Sequence, residues 1–238
     1  MNLILFTIDE DLNFLSINDK RTKHILEIIK PEVNSTLDYG IVNKEKGKLK
    51  IINIDDKGIY FEVQPIESND EFYPITLIIG TPRPPVAKRL IKDLTTSGVE
   101  KIIMCATDLG EKSYLTSNLW KDNNYLENVY EGCSQGESYL VPKIEKYFSL
   151  KKALESIDYN GNKIALDNIS PDFNISNFRP EHLKSVVVIG GERGFSDRER
   201  EMLKEFNYNI FKMGNRVLRT ETVCHQIVGS ILTLSKLI

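Results

Sequence analysis

The pattern of apolar and polar residues changes near residue 71. Before that point, four segments (LILFTI, LDYGIVN, KLKIINID and GIYFEVQPI) carry apolar residues at every second position and are separated by Asn, Asp and Gly. This pattern predicts short antiparallel strands of a small barrel, interrupted by one amphipathic helix at about residues 20–29. The polar segment ESNDE at residues 67–71 is the predicted linker.

Beyond residue 72 the apolar runs become continuous and alternate with helical periodicity. Ser196 and Glu199 form a capping-box pattern at the start of one of the helices. The alternation predicts an α/β domain with a mostly parallel sheet, so the expected domains are 1–71 and 72–238. The predicted strands are residues 75–80, 101–106, 163–167, 185–191 and 209–214, and the predicted helices are 86–97, 117–133, 150–157, 197–206 and 221–237.

The composition is that of an ordinary globular protein, with 41% hydrophobic and 27% charged residues. No segment approaches the roughly 20 apolar residues that a bilayer requires, and the first apolar run is too short for a signal peptide. The three cysteines, Cys105, Cys133 and Cys224, form no CxxC pair. We therefore expect a cytoplasmic protein with reduced thiols, no membrane association and no metal site.

The charge is unevenly distributed along the chain. The net charge is −3, which does not by itself indicate a nucleic-acid partner. Up to Glu71 there are 9 Lys and Arg against 14 Asp and Glu, whereas the remainder carries 22 against 20. Any affinity for RNA must therefore come from local basic patches.

Two glycine-containing turns follow successive predicted strands late in the chain. They are IGGERGF at residues 189–195 and MGNRVLRTET at residues 213–222. Glycine lets the backbone approach a ligand closely, and the carboxyl ends of strands are the usual ligand sites of open α/β sheets. Either turn taken alone is better explained as a tight connection, but two such turns on successive strands, each with Arg and Glu beside the glycines, weaken that explanation.

Other common chemistries have little support in the sequence. The first strand of the second domain leads into GTPRPP at residues 80–85, which is neither GxGxxG nor a phosphate-binding loop. The histidines, His24, His182 and His225, are widely separated, and no GxSxG motif accompanies them. Hydride transfer, phosphoryl transfer and nucleophilic hydrolysis are therefore disfavoured.

The two glycine-containing turns carry a family resemblance. IGGERGFSDRE and VLRTET resemble the signature IGPEGGFsxxE…LGxRiLRtETA of the ribosomal RNA small subunit methyltransferase E (RsmE) family of the SPOUT superfamily. Three further segments are similar to family segments in the same order: KHILEIIK at 23–30, LTTSGVEKII at 94–103 and GESYLVPKI at 136–144. The resemblance thus covers nearly the whole chain, and the two turn motifs are its specific part.

The resemblance implies both a fold and a cofactor. The fold is an N-terminal PUA-like β-barrel that serves as an RNA-binding accessory domain, followed by a C-terminal SPOUT domain with a deep trefoil knot. It also implies a homodimer that packs through the final helix. S-adenosyl-L-methionine would be held by the backbone of three loops, which correspond here to Leu166, Asp167, Ile189, Gly190, Gly191, Gly194, Met213, Gly214, Val217 and Leu218.

The implied activity is methylation of N3 of a uridine in 16S ribosomal RNA. The N3–H group is a weak acid, so removal of its proton needs a base or stabilisation of the charge that develops on the uracil oxygens. Arg219, Glu221 and Glu192 are the candidate catalytic residues. Glu221 has an alternative role, because acidic residues also stabilise the first turn of a helix.

The expected partner is 16S ribosomal RNA or the small ribosomal subunit, held by basic side chains at its phosphates. The candidate RNA-binding residues are Arg83, Lys88, Arg89, Lys92, Lys143, Arg21 and Lys30.

The sequence departs from the family pattern at several positions. The family's PEGG reads GERG here, the acid of its ELGV segment is Thr96, and its Glu-Gln…Arg pattern reads Ser134-Gln135…Ser138. Two other interpretations therefore stand beside the first. One is a divergent SPOUT methyltransferase that acts on another RNA site, and the other is a non-catalytic RNA-binding SPOUT protein.

Overall fold

The computed structural model describes residues 2–238, which form two compact units. The first comprises residues 2–71 and Tyr130–Val141, and the second comprises Phe72–Val129 and Pro142–Ile238. This division differs from the predicted one, because the sequence analysis placed Tyr130–Val141 in the second domain. The segment joins the first unit through hydrogen bonds from Leu3 N–H to Ser134 O, at 3.0 Å, and from Val141 N–H to the Asn43 side chain, at 2.8 Å.

The first unit contains a curled five-stranded sheet in the order β1-β3-β4-β5-β2. Three strand pairs are antiparallel, as predicted, but β1 and β3 are parallel, so the prediction of an all-antiparallel arrangement was wrong. Phe6, Tyr39 and Phe61 are buried in its core. Closure of this sheet into a PUA-like barrel stays a prediction. The strands are β1 (Ile4–Phe6), β2 (Phe14–Ser16), β3 (Thr36–Ile41), β4 (Glu45–Ile54) and β5 (Gly58–Ile66).

The helix predicted at residues 20–29 is confirmed, although only its first half is α-helical. Helix α1 (Lys20–His24) begins with the Asp19 side chain accepting a hydrogen bond from the Arg21 N–H group. It continues as a π-helix over Ile25–Ile29 and ends at Lys30, which has a φ of 51°.

The second unit contains a seven-stranded sheet in which every pairing is parallel, as the continuous apolar runs predicted. The strand order is β10-β12-β9-β11-β6-β7-β8. Strand β8 (KIEKY) was not predicted because it lies at the edge of the sheet and three of its five residues are charged. The strands are β6 (Tyr73–Gly80), β7 (Val99–Cys105), β8 (Lys143–Tyr147), β9 (Asn162–Leu166), β10 (Phe173–Asn174), β11 (Ser185–Ile189) and β12 (Asn209–Lys212).

The helices lie close to their predicted positions, with one exception. The helix predicted at 117–133 was wrong in its first half, where Asn118–Asn123 forms a 3-10 helix interrupted at Asp122 (φ 48°) and followed by Asn123 (φ 58°). Asp and Asn tolerate this left-handed conformation and so end helices. The α-helices are α2 (Pro84–Thr96), α3 (Tyr125–Gln135), α4 (Leu150–Glu155), α5 (Asp197–Glu205) and α6 (Thr220–Leu234), with further 3-10 turns at Lys112–Thr116 and Ile175–Asn177.

The strand order places a topological switch at the centre of the parallel sheet. Strands β7 and β8, which follow β6 in the chain, lie on one side of it. The later strands lie on the other side, in the spatial order β11, β9, β12, β10 moving away from β6. The carboxyl ends of all these strands lie along one edge of the sheet. Ligands of open α/β sheets bind in the crevice at such a switch point, outside the carboxyl ends. The trefoil knot stays a prediction.

Candidate functional site

A cavity of about 700 Å³ opens at the carboxyl ends of four strands of the parallel sheet. Its wall is formed by Arg83 after β6, by residues 166–169 after β9, by residues 189–194 after β11, and by residues that follow β12. Both glycine-containing turns identified in the sequence therefore contribute to one cavity.

The turn after β11 is held by its own backbone and by a close approach to β6. Gly191 O accepts a hydrogen bond from Gly194 N–H at 2.9 Å, and Gly194 adopts a φ of +71°, which favours glycine. At the end of β6, a Cβ on Gly80 would lie 2.3 Å from the nitrogen of Gly191. Gly80 is therefore required for this turn to sit against β6, a role that the sequence analysis missed.

An ion pair between Asp167 and Arg200 forms part of the cavity wall. Arg200 Nε donates to Asp167 Oδ2 at 2.5 Å, and only 12% and 8% of the two side chains are exposed. Burial acts to lower the pKa of Arg200, but the hydrogen bond and charge of Asp167 outweigh it and raise that pKa. Asp167 also accepts from the backbone N–H groups of Asn168 and Ile169. The pair therefore fixes the loop after β9.

The turn after β11 enters α5 through the predicted capping box, which the structure confirms. Glu199 is buried, and its two carboxylate oxygens accept from the backbone N–H groups of Asp108 and Ser196, each at 2.9 Å. Asp108 in turn accepts from Ser196 Oγ, at 2.5 Å, and from Arg198. The hydrogen bonds from Arg198 and Ser196 hold the pKa of Asp108 below its ordinary value.

The second turn presents Arg219 and Glu221 at the start of α6. Arg219 is the N-cap residue of α6, and its side chain is exposed. Glu221 Oε1 lies 3.6 Å from Arg89 Nη2, and Glu192 Oε1 lies 3.9 Å from Arg83 Nε. Both candidate carboxylates therefore face arginines of α2, Arg83 at its N-cap and Arg89 within the helix. The Glu221 side chain is 20% exposed, and that of Glu192 is 51% exposed.

Most of the residues singled out from the sequence line this cavity, which brings the candidate catalytic and cofactor-binding residues together. The predicted residues in its wall are Arg219, Glu221, Glu192, Leu166, Asp167, Ile189, Gly190, Gly191, Gly194, Met213, Val217, Leu218 and Arg83. Gly214 lies outside the wall, exposed and with a φ of +78°. The binding and catalytic roles of these residues stay predictions.

The structure adds residues to the wall that the sequence analysis did not select. The most informative is Arg200, whose only sequence signal is its position directly after the capping box. The other additions are Val86, Asn168, Ile169, Arg193, Thr220 and Val223.

The remaining candidate RNA-binding residues lie away from the cavity wall. Lys88 is exposed on α2, and Lys92 lies on the same helix. Lys143 pairs with Glu145 at 2.6 Å, and Lys30 is exposed at the end of the π-helix in the first unit.

Arg21 is occupied within the first unit. Its guanidinium bonds to the carboxylates of Asp19 and Glu10 and to the carbonyl oxygen of Leu5. It also lies 4.7 Å from the centre of the Phe6 ring. Two carboxylates thus neutralise its charge, and its predicted role in RNA binding has no support from this arrangement.

The cysteines do not contribute to the cavity. All three are free and buried, and burial raises their thiol pKa values, that of Cys133 to about 12.

Within residues 2–238, no group of three or more His, Cys, Asp or Glu side chains is arranged to hold a metal ion. Over the same residues, no helix combines the length and apolar character needed to span a membrane.

The family model of the RNA methyltransferase domain matches residues 69–232, so the chain carries a domain of that class. Ribosomal RNA small subunit methyltransferase E 1 of Borreliella burgdorferi is 34% identical over 241 aligned positions, which cover 100% of this chain and 99% of the relative. The methyltransferase E of Treponema pallidum is 30% identical over 93% of this chain and 87% of its own length. The chain belongs to the ribosomal RNA small subunit methyltransferase E family.

Solved structures share the fold over almost the full length. The methyltransferase E of Neisseria gonorrhoeae, solved bound to S-adenosyl methionine, superposes with a TM-score of 0.80, with 18% identity and 98% of each chain covered. A methyltransferase from Legionella pneumophila, solved with the same cofactor, gives a TM-score of 0.77 with 17% identity, again covering 98% of each chain.

Proposed function

We propose that this protein transfers a methyl group from S-adenosyl-L-methionine to N3 of a uridine in 16S ribosomal RNA of the small subunit. The observation that carries the proposal is the convergence of the two signature turns on one cavity, with Arg219 and Glu221 in its wall. The relatives named above supply the RNA class, since they are ribosomal RNA small subunit methyltransferases.

The cavity wall suits the cofactor in chemistry and in shape. Glycine at positions 190, 191 and 194 leaves the backbone exposed to a ligand without intervening side chains, and Leu166, Ile189 and Met213 supply apolar surface. These residues, with Asp167, Val217 and Leu218, would hold the cofactor, which when bound supplies an electrophilic methyl group. Arg193 also lines the cavity where the family has glycine, so cofactor affinity is a direct test of this fit.

Arg219 is suited to stabilise the acceptor base during transfer. Removal of the N3 proton places negative charge on the uracil oxygens, and a guanidinium offers a fixed fork of donors to such charge. The exposed Arg219 side chain, at the start of α6, is available to a base that enters the cavity.

Glu221 and Glu192 are the candidate bases for removal of the N3 proton. Each lies within 4 Å of an arginine, Arg89 for Glu221 and Arg83 for Glu192. Glu221 also lies in the first turn of α6, where a carboxylate stabilises the helix N-terminus. A loss of activity without a loss of stability in Glu221→Gln would favour the catalytic role.

The proposal extends to the assembly and to the smaller unit. We propose a cytoplasmic homodimer that packs through α6, a trefoil knot in the second unit, and a PUA-like, RNA-binding first unit. These features are supported by the family membership and by the order of the signature segments along the chain.

Substitution of Arg219 by Ala tests the catalytic assignment. Loss of a preorganised donor to developing charge typically reduces turnover by about 10²- to 10³-fold, so we expect a decrease of that order with unchanged affinity for S-adenosylmethionine. The measurements are methyl incorporation into small subunits that lack the modification, and isothermal calorimetry with the cofactor. Arg179→Ala is the control, because Arg179 is exposed, lies outside the cavity wall and belongs to neither signature turn.

The outcomes also separate the alternative functions. Full turnover in Arg219→Ala contradicts the catalytic role. Absence of cofactor binding in the wild type supports a non-catalytic RNA-binding protein. Mass spectrometry of 16S RNA fragments from a deletion strain distinguishes a missing N3-methyluridine from a methyl group missing at another site.

A further inference from the structure

The edge strand β8 ends in an exposed aromatic ring beside a lysine. Phe148, directly after β8, is 57% exposed. Lys146 Nζ lies 6.0 Å from the centre of the Phe148 ring and 5.9 Å from that of Trp120. Trp120, Lys146 and Phe148 form the β8-end cluster.

The charge of Lys146 is not neutralised by a carboxylate among the residues that the structure describes. Its ammonium group lies about 6 Å from the centres of the two rings and donates to the carbonyl oxygen of Leu115 at 3.5 Å. In contrast, Lys143 and Lys101 both pair with Glu145, at 2.6 Å and 2.9 Å. Lys146 therefore retains a charge that is available to an anionic ligand.

The β8-end cluster lies on the same edge of the sheet as the cavity. Strand β8 is three strands from β11, with β7 and β6 between them, and all four are parallel. With neighbouring strands about 4.8 Å apart, the carboxyl ends of β8 and β11 are roughly 14 Å apart. Arg83, which follows β6 and is 65% exposed, lies along this path.

We propose that the β8-end cluster binds single-stranded RNA next to the acceptor nucleotide, with a base stacked on Phe148 and a phosphate bound by Lys146. An exposed ring beside an unneutralised cation is the combination by which proteins bind single-stranded nucleic acid without reading its sequence. A protein partner that bound only through an apolar contact with Phe148 would leave the charge of Lys146 without a partner, whereas RNA supplies both a base and a phosphate. The proposal rests on the proposed function only in that the RNA is the methylation substrate.

Trp120 provides the readout, because it is the only tryptophan in the sequence. A short oligouridylate, titrated into the full-length protein at low salt, should change the Trp120 fluorescence when it binds. Since each stacked base contributes substantially to affinity, Phe148→Ala should weaken binding by about fivefold or more. Phe173→Ala is the matched control, because Phe173 is 49% exposed at the opposite edge of the sheet. The affinity of this variant for the oligouridylate should equal that of the wild type.

Substitution of Lys146 separates RNA binding from a structural role. Affinity falls as the salt concentration rises, and each neutralised phosphate makes this dependence steeper. If Lys146 neutralises one phosphate, Lys146→Gln reduces the magnitude of the slope of log affinity against log salt by about one, and Lys146→Arg restores it. A lysine that only packs on Trp120 would change the thermal midpoint and leave the slope unchanged. An unchanged slope, equal affinities for Phe148→Ala and Phe173→Ala, or no oligouridylate binding by the wild type would each overturn the proposal.

Methyl transfer to small subunits distinguishes this inference from the proposed function. Oligouridylate binding that depends on Phe148, in a protein that methylates no RNA, would support the surface and contradict the function. Full methyl transfer by both Phe148→Ala and Lys146→Gln, with unchanged oligouridylate binding, would contradict the surface and leave the function intact.

Discussion

Asn162, at the start of β9, uses both ends of its side-chain amide to hold the segment that leads into β11. Its nitrogen donates to the carbonyl oxygens of His182 and Lys184 and to Ser185 Oγ, at 2.7–3.1 Å. Its oxygen accepts from the backbone N–H groups of Glu181 and His182, at 2.8 and 3.0 Å. The side chain is buried, so this network is largely shielded from water.

Asn162→Ala should therefore destabilise the protein strongly. Several partners would lose their hydrogen bonds at once in a buried position, and we expect a decrease of about 3 kcal/mol in the free energy of unfolding. Urea denaturation measures this change. Asn160→Ala is the control, because Asn160 is exposed two residues earlier and its substitution should change stability by less than about 0.5 kcal/mol. Similar values for the two variants would contradict the assignment.

The Asp167–Arg200 pair gives a second prediction at the residue scale. Because both side chains are nearly buried, Arg200→Gln leaves the Asp167 carboxylate without its partner and should cost about 3 kcal/mol of stability. Removing both charges in Asp167→Asn/Arg200→Gln should cost less than Arg200→Gln alone. Denaturation of the two single variants and the double variant measures this coupling, and additive losses would show that the pair is not coupled.

At the scale of elements, Asp108 ties the loop after β7 to the start of α5. Its pKa is lowered in the folded protein by Arg198, Ser196 and the nearby charge of Lys112, relative to an ordinary value of 3.8. A carboxyl group with a lowered folded-state pKa stabilises the fold above its unfolded pKa and loses this contribution as the pH falls through the folded one.

The stability difference between the wild type and Asp108→Asn should therefore be constant above about pH 5 and should shrink below about pH 4. Thermal midpoints measured across this range test the prediction. Glu201→Gln serves as an exposed control on the same helix. A difference that grew on acidification would have the wrong sign for this ion pair.

The elements of the second unit could be predicted where local sequence decides the structure. Continuous apolar runs located β6, β7, β9, β11 and β12, and Ser196 with Glu199 located the start of α5. Strand β8 could not be found this way, because its edge position allows charged residues such as Lys143 and Glu145. The parallel pairing of β1 with β3 is set by contacts between residues far apart in the sequence, which local periodicity cannot predict.

The candidate site was predictable only in part, for a similar reason. Glycines and arginines in the two turns were visible as motifs. Arg200 and Gly80 were not, because their roles depend on Asp167 and on Gly191, each distant in the sequence. Such partners meet only after the parallel sheet has formed.

At the scale of the whole molecule, the three buried cysteines report on unfolding in both units. Cys133 belongs to the first unit, and Cys105 and Cys224 belong to the second. Burial raises their thiol pKa values, and only the thiolate reacts. We expect all three to resist a disulfide-exchange reagent in the native protein and to react in guanidinium chloride.

Mass spectrometry of the labelled cysteines then shows whether the units unfold together. Labelling of Cys133 at lower denaturant concentrations than Cys105 and Cys224 would identify the first unit as the less stable one. Rapid labelling of any of the three in the native protein would contradict their burial.

The position of Tyr130–Val141 also bears on how the chain folds while it is being synthesised. The N-terminal sheet is translated first, yet the acceptor for Leu3 N–H is the carbonyl of Ser134, and the hydroxyl of Tyr139 accepts from Ser68 at 3.1 Å. A nascent chain that ends just after residue 71 thus lacks one segment of its first unit. That unit is complete only after residues 72–129 of the second unit, and then residues 130–141, have been synthesised. An isolated version of that unit would need residues 130–141 fused to the C-terminal side of residue 71.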